Sequence, residues 1–176
     1  MHSSVDISAL ANHPSLFLYN SNATVRSVDE LVSLDSSVTE IIIDNGVSDS
    51  NFTVLDLSRF TRLRTLEIGD HCMSYVTTVN ITGLTELESV TIGKDSFTKS
   101  KNGVLILPYE DRHFYLKNCP KLKSLKMGRY SFTDYTVCEI ENVDALEVIE
   151  IGDLNEYSTN FHYASLELKS ILIHRE

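Results

Sequence analysis

The feature that most constrains this chain is a repeated octapeptide. Residues 63–70 read L-R-T-L-E-I-G-D, 87–94 read L-E-S-V-T-I-G-K, 122–129 read L-K-S-L-K-M-G-R and 146–153 read L-E-V-I-E-I-G-D. Weaker copies stand at 38–45 (V-T-E-I-I-I-D-N) and 168–175 (L-K-S-I-L-I-H-R). Successive copies start 25, 24, 35, 24 and 22 residues apart. One such unit cannot bury its own apolar side chains, whereas stacked units line them into columns. The period therefore predicts a single solenoid domain over residues 1–176.

A second pattern recurs inside each unit. Eight and six residues before the lead leucine stands an apolar pair with one residue between: Leu55/Leu57, Val79/Ile81, Phe114/Leu116 and Cys138/Ile140. Alternation with period two is that of a strand with one face in and one face out. Three residues before the lead leucine is another apolar site (Phe60, Leu84, Cys119, Val143), and four after the glycine comes Met73, Phe97 or Phe132. In the fourth strong copy Glu156 falls there, with Tyr157 beside it. Each repeat thus predicts two short strands and a compact corner, with Gly69, Gly93, Gly128 and Gly152 taking a turn that a side chain would obstruct. The fold class is mostly β, with parallel sheets, about 24 residues per repeat and few helices.

Residues 1–45 read as an N-terminal cap ending in the first repeat strand, and 46–176 as the repeats. Residues 15–19 form a short apolar run of strand character. Ser27 and Glu30 fit a capping box, and Val28, Leu31 and Val32 follow at helical spacing, so the pattern predicts a helix over 28–34.

The segment L-x-x-L-x-I followed by I-G-x-x-S-F resembles leucine-rich repeats, and more closely the BspA-like type of bacterial surfaces and protists. The residues carrying the resemblance are Ile68-Gly69-Asp70-His71-Cys72-Met73, Ile92-Gly93-Lys94-Asp95-Ser96-Phe97 and Met127-Gly128-Arg129-Tyr130-Ser131-Phe132. It covers 38–176. The usual closing asparagine is replaced by His71, Asp95, Tyr130 and Leu154, and the I-G segment directly follows the leucine strand, so the cross-section is expected to depart from the familiar horseshoe. What the resemblance implies is a binding scaffold without a fixed chemistry.

Composition narrows the function classes. The net charge of −10 argues against general binding to a phosphate backbone. No apolar run approaches the roughly 20 residues of a membrane span. The N-terminus shows no basic region followed by an apolar core, which favours a cytoplasmic location, and the N-x-T triplets at Asn22, Asn51 and Asn80 then read as chance. Cys72, Cys119 and Cys138 show no disulfide or zinc spacing and read as small buried hydrophobes. No nucleophile, metal or phosphate-loop motif occurs, so neither catalysis nor a cofactor is expected. Asp70-His71 and Asp111-Arg112-His113 bring acids near histidines in sequence, but strand neighbours face opposite ways.

Binding has three candidate locations. The 35-residue spacing holds a surplus within 98–112, where Asn102-Gly103 signals a turn and residues 104–107 are apolar. Insertions in solenoids map to loops on one face, often the binding face. Between Lys94 and Arg129 nine basic residues accompany three acids, a net +6 that either forms a solvated face or meets an acidic partner. Residues Thr65, Glu67, Ser89, Thr91, Ser124 and Lys126 should point outward from their strands. Finally, 171–176 end the chain on an apolar strand with a short charged tail; self-association, a shortened chain or protection by the tail each account for it. The reading is a protein–protein interaction scaffold whose contact residues are Lys99, Lys101, Leu105, Leu107, Tyr109, Arg112, Tyr115, Lys126, Leu172 and Ile173. The alternative is a self-assembling module joined through the C-terminal edge into a homo-oligomer.

Overall fold

Short strands in two parallel sheets make up almost all of the regular structure. The computed structural model describes residues 21–100, 111–153 and 156–169. In chain order the elements are β1 (Asn22–Val25), α1 (Val28–Ser33), β2 (Glu40–Ile43), β3 (Val54–Asp56), β4 (Thr65–Ile68), β5 (Thr78–Thr82), β6 (Ser89–Ile92), β7 (His113–Lys117), β8 (Ser124–Met127), β9 (Val137–Glu141), β10 (Val148–Ile151) and β11 (Ser165–Lys169). The first sheet has the order β1-β2-β4-β6-β8-β10 and the second β11-β9-β7-β5-β3. From β2 onward, consecutive strands alternate between the sheets.

The register is that of the sequence repeat. Leu66 pairs with Ile41 and Val90, and Leu125 pairs with Val90 and Ile149. In the second sheet Val79 pairs with Leu55 and Phe114, and Cys138 with Phe114 and Leu166. Because side chains alternate along a strand, this register stacks inward residues of each repeat on those of the next. From β2 to β9 the inward rows of both sheets enter one hydrophobic cluster, together with the lead leucines Leu63, Leu87 and Leu122.

The glycine corners extend the ladder beyond the strands. The amides of Gly69, Gly93 and Gly128 donate to the carbonyls of Ile43, Ile68 and Ile92 at 2.8, 2.7 and 2.7 Å. A Cβ on Gly93 would lie 2.5 Å from the carbonyl carbon of Gly69, so close approach between repeats excludes a side chain there. The next residues carry the left-handed backbone instead: His71, Asp95 and Tyr130, then Met73, Phe97 and Phe132, have φ between 52° and 64°. Ser96 Oγ donates to the Gly69 carbonyl at 2.8 Å, and Ser131 Oγ does the same to Gly93. The aromatic column stands behind them, Phe97 stacked on Phe132 at 4.7 Å and Phe132 on Phe161 at 5.0 Å.

Two expectations are corrected here. Position 156/157 does not close the fourth corner; Tyr157 is exposed and Phe161 fills the aromatic column. Asn160 Nδ2 donates to the Gly128 carbonyl at 2.8 Å, which places Asn160-Phe161 where Ser131-Phe132 and Ser96-Phe97 stand in earlier repeats. Burial of an apolar ring outweighs constant spacing, and the longer corner absorbs the extra residues. Likewise Leu168 is not a lead leucine. It lies in β11 of the second sheet, paired with Ile140, because Leu166 and Leu168 form the same alternating apolar pair as Cys138 and Ile140.

The helix forms as its cap dictates. Ser27 Oγ accepts from the Glu30 amide at 3.2 Å, and the Glu30 carboxylate reaches back to the Arg26 amide at 2.6 Å, one residue before the cap. Val28 and Leu31 are buried beneath it. Strand β1 has no counterpart in the sequence reading; four residues with only Val25 fully buried give too short an alternation to register. The expected strand over 15–19 lies outside the described residues.

Candidate binding face

The base of the insertion is a buried polar clasp. Arg112, expected to face a partner, is 2% exposed. Its Nη1 lies 3.4 Å from Asp134 Oδ1 and its Nη2 donates to the Ser74 carbonyl at 3.0 Å. The backbone amide of Lys99 donates to Asp134 Oδ2 at 3.1 Å, so one carboxylate holds both ends of the insertion. Arg112 therefore works inside the molecule, since a buried guanidinium needs its charge and its donors satisfied where it sits. The Lys99 ammonium lies 5.8 Å from the Tyr75 ring centroid. Lys101, Leu105, Leu107 and Tyr109, with the expected turn at 102–103, lie outside the described residues, as do Leu172 and Ile173.

The basic segment is largely matched by acids of neighbouring repeats. Lys121 bonds Glu86 at 2.8 Å, Lys126 bonds Glu150 at 3.2 Å, and Lys117 and Arg129 bond Glu139 and Glu156. Lys94 lies 3.8 Å from Asp95. Stacking brings residues about 24 apart within reach of one another, so a surplus that is local in sequence is dispersed in space. Lys126, on the outer side of β8, is held in this way.

The outer face of the second sheet gathers one row from five repeats: Asp56, Asn80, Tyr115, Glu139 and Glu167. No described helix or strand packs over it. Beside it runs Thr82, Lys117, Glu141 and Lys169, with Lys117 between Glu139 and Glu141 and Lys169 between Glu141 and Glu167. The hydrogen bond to Lys117, with its charge, holds the Glu139 carboxyl below the usual carboxylate range, and Lys117 is raised in return. Tyr115 stands at the centre. Its hydroxyl is 2.7 Å from His113 Nδ1, and the Lys117 ammonium lies 5.0 Å from its ring centroid. Toward β3 the face hollows into a groove of about 350 Å³ lined by Val54, Asp56, Thr78, Asn80, Thr82, Tyr115 and Lys117.

Of this row the sequence reading placed only Tyr115 among the contact residues. Asp56, Asn80 and Glu139 were recognisable as outward residues between apolar pairs, and only the in-register pairing makes them neighbours. The sequence-adjacent acid–histidine pairs do not form sites. His71 faces Asp95 of the next repeat at 3.8 Å, and His113 turns to Tyr115. Comparison of the chain with protein-family models, curated proteins and solved structures gave no match.

Proposed function

We propose that this chain is a non-catalytic interaction scaffold, a solenoid of leucine-rich-repeat type that holds a protein partner on the outer face of its second sheet. The observation that carries the reading is the open row Asp56–Asn80–Tyr115–Glu139–Glu167, drawn from five repeats. A face built of short strands offers many weak contacts in fixed register. Glu139, Glu141, Glu167 and Asp56 outnumber Lys117 and Lys169 on it, so a partner with a basic surface is favoured. The insertion, whose two ends are clasped by Asp134, precedes β7 of the same sheet in the chain and belongs to the proposed contact surface.

The test is photo-crosslinking from a benzophenone side chain placed at Glu139 or Glu167, with Glu67 on the outer face of the first sheet as the control. A protein partner captured from the second sheet and not from position 67 supports the reading. Equal capture from both faces, or none from either, defeats it.

One observation favours association of copies as a second reading. Ile149, Leu166 and Leu168 belong to the inward rows yet are 42%, 48% and 57% exposed at the edge formed by β10 and β11. Ladder side chains this exposed, beside strand edges that pair with no further described strand, are a template for another chain. Light scattering over a range of concentrations tests it. A Leu168→Lys exchange lowers the particle mass if the edge joins copies, and a mass near 20 kDa at every concentration removes the reading.

A further inference from the structure

We infer that the groove between β3 and β7 is a binding site for a neutral saccharide of one or two rings. The groove shares Asp56, Asn80 and Tyr115 with the face proposed above, and a sugar in it needs no protein docked at Glu139 or Glu167.

The groove has a mixed and directional set of polar groups. The Thr82 hydroxyl donates to Asn80 Oδ1, and Asn80 Nδ2 donates to Asp56 Oδ1 at 3.2 Å. Asp56 Oδ1 also accepts the Ser58 amide at 2.9 Å. This relay sets the orientation of the Asn80 amide, because its oxygen faces a donor and its nitrogen an acceptor. It leaves capacity toward the groove: the second hydrogen of the Asn80 amide as a donor, Asp56 Oδ2 as an acceptor, and the Thr78 hydroxyl as either. Alternating donors and acceptors at this spacing match adjacent hydroxyls of a sugar ring, each of which gives and takes a hydrogen bond.

The wall matches the other side of a sugar. Tyr115 is held by His113 and by the Lys117 ammonium. A tyrosine ring carries negative charge on its faces and attracts weakly positive C–H bonds, which a pyranose presents on its less polar side. Val54 adds an apolar floor at the β3 edge. The volume lies at the small end of the roughly 300 to 1,000 Å³ range of small-molecule sites, enough for one or two rings.

Charge excludes the rivals. An anion would meet Asp56, and the one cation among the groove's described residues, Lys117, already serves Glu139 and Glu141. A basic peptide would find one carboxylate, Asp56, among the described residues of the groove, because Glu139, Glu141 and Glu167 lie outside it. A neutral polyol needs neither charge.

The experiment is saturation-transfer NMR on the full chain with cellobiose, maltose, lactose and N,N′-diacetylchitobiose, each at millimolar concentration, and trilysine as the rival probe. At least one saccharide is expected to receive saturation through its C–H face. Tyr115→Ala should weaken that binding about tenfold, the scale of one aromatic contact, while Tyr115→Phe keeps it. Circular dichroism confirms that both variants fold, and Asn80→Ala provides a second lesion away from the ring. Absence of transfer to all four sugars overturns the inference. So does transfer unchanged by Tyr115→Ala, or displacement of the bound sugar by trilysine. Failure here leaves crosslinking from Glu139 and Glu167 unaffected, so the two proposals fall separately.

Discussion

Arg112 and Asp134 form an ion pair inside the protein, 3.4 Å apart with side chains 2% and 6% exposed. The pair joins the two ends of an insertion to the following repeat. Neither residue touches the outer face, yet the geometry of that face at β7 depends on them, because β7 begins at His113.

Removing one partner should be costly. Arg112→Ala leaves the Asp134 carboxylate buried with its charge uncompensated and should destabilise the fold by about 3 to 5 kcal/mol. The double variant Arg112→Met, Asp134→Leu should recover most of that loss, since an apolar pair needs no compensation. Urea unfolding of the three proteins decides the point. A double variant no more stable than Arg112→Ala would mean that the guanidinium's hydrogen bonds to the carbonyls of Ser74 at 3.0 Å and Phe97 at 3.4 Å, and not the paired charges, hold the clasp.

Two glycines should respond in opposite ways to asparagine. Gly93 stands against the backbone of Gly69 and Asp70, 2.5 and 2.6 Å from where a Cβ would lie. Gly93→Asn should cost about 3 kcal/mol or abolish folding, as overpacking against immovable atoms does. Gly83 has φ +74° and open space around it, and the equivalent positions in the next two repeats are Asn118 and Asn142, with φ 55° and 53°. Asn142 Nδ2 donates to Asn118 Oδ1 at 2.8 Å. Gly83→Asn extends this ladder and should change stability by less than about 0.5 kcal/mol. Melting temperatures of the two variants check both statements.

The thiols should be inert while the protein is folded. Cys72, Cys119 and Cys138 are all buried. Burial pushes Cys138 up to about 12 and raises the other two, so little thiolate forms at neutral pH. A chromogenic disulfide reagent should titrate none of the three in buffer and all three in denaturant. Rapid reaction of Cys138 in the native protein would contradict its buried, inward position on β9.

The Lys117–Glu139 contact makes a small, pH-dependent contribution. Glu139 is lowered from its ordinary 4.5, so its contribution is complete above that value and disappears as acid takes the pH down through the folded value. Lys117 is raised above 10.5, so its contribution is complete below that value and is lost as the pH climbs through the folded one. Both groups are partly solvated, which holds the pair to about 1 kcal/mol or less. Glu139→Gln should therefore lower stability slightly at pH 7, by an amount that shrinks as the pH falls through the folded value. A difference from wild type that persists in acid would assign the loss to packing instead.

Much of the repeat was written in the chain. Lead leucines, apolar pairs and the glycine recur at fixed offsets because each must meet its copy in the next repeat, and that demand shows as periodicity. The helix cap was equally local: Ser27, Glu30 and two apolar residues suffice. The fourth corner was not legible. Phe161 stands nine residues after Gly152 instead of four, and only its ring stacked on Phe132 shows that it does the work of Phe97. The last apolar pair was misread for a similar reason, since the spacing of Leu168 from Leu146 mimics a repeat while its register belongs to the second sheet.

By itself the sequence determined the alternation of inward and outward residues and the two strands per repeat. These follow from patterns read along one strand or one repeat. The tertiary structure decided which outward residues become neighbours. Asp56, Asn80 and Tyr115 are dozens of residues apart, and parallel pairing places them in one row. It also decided where charge goes, placing Arg112 against Asp134 and Lys117 against Glu139, because contact depends on distance across strands and not on distance along the chain.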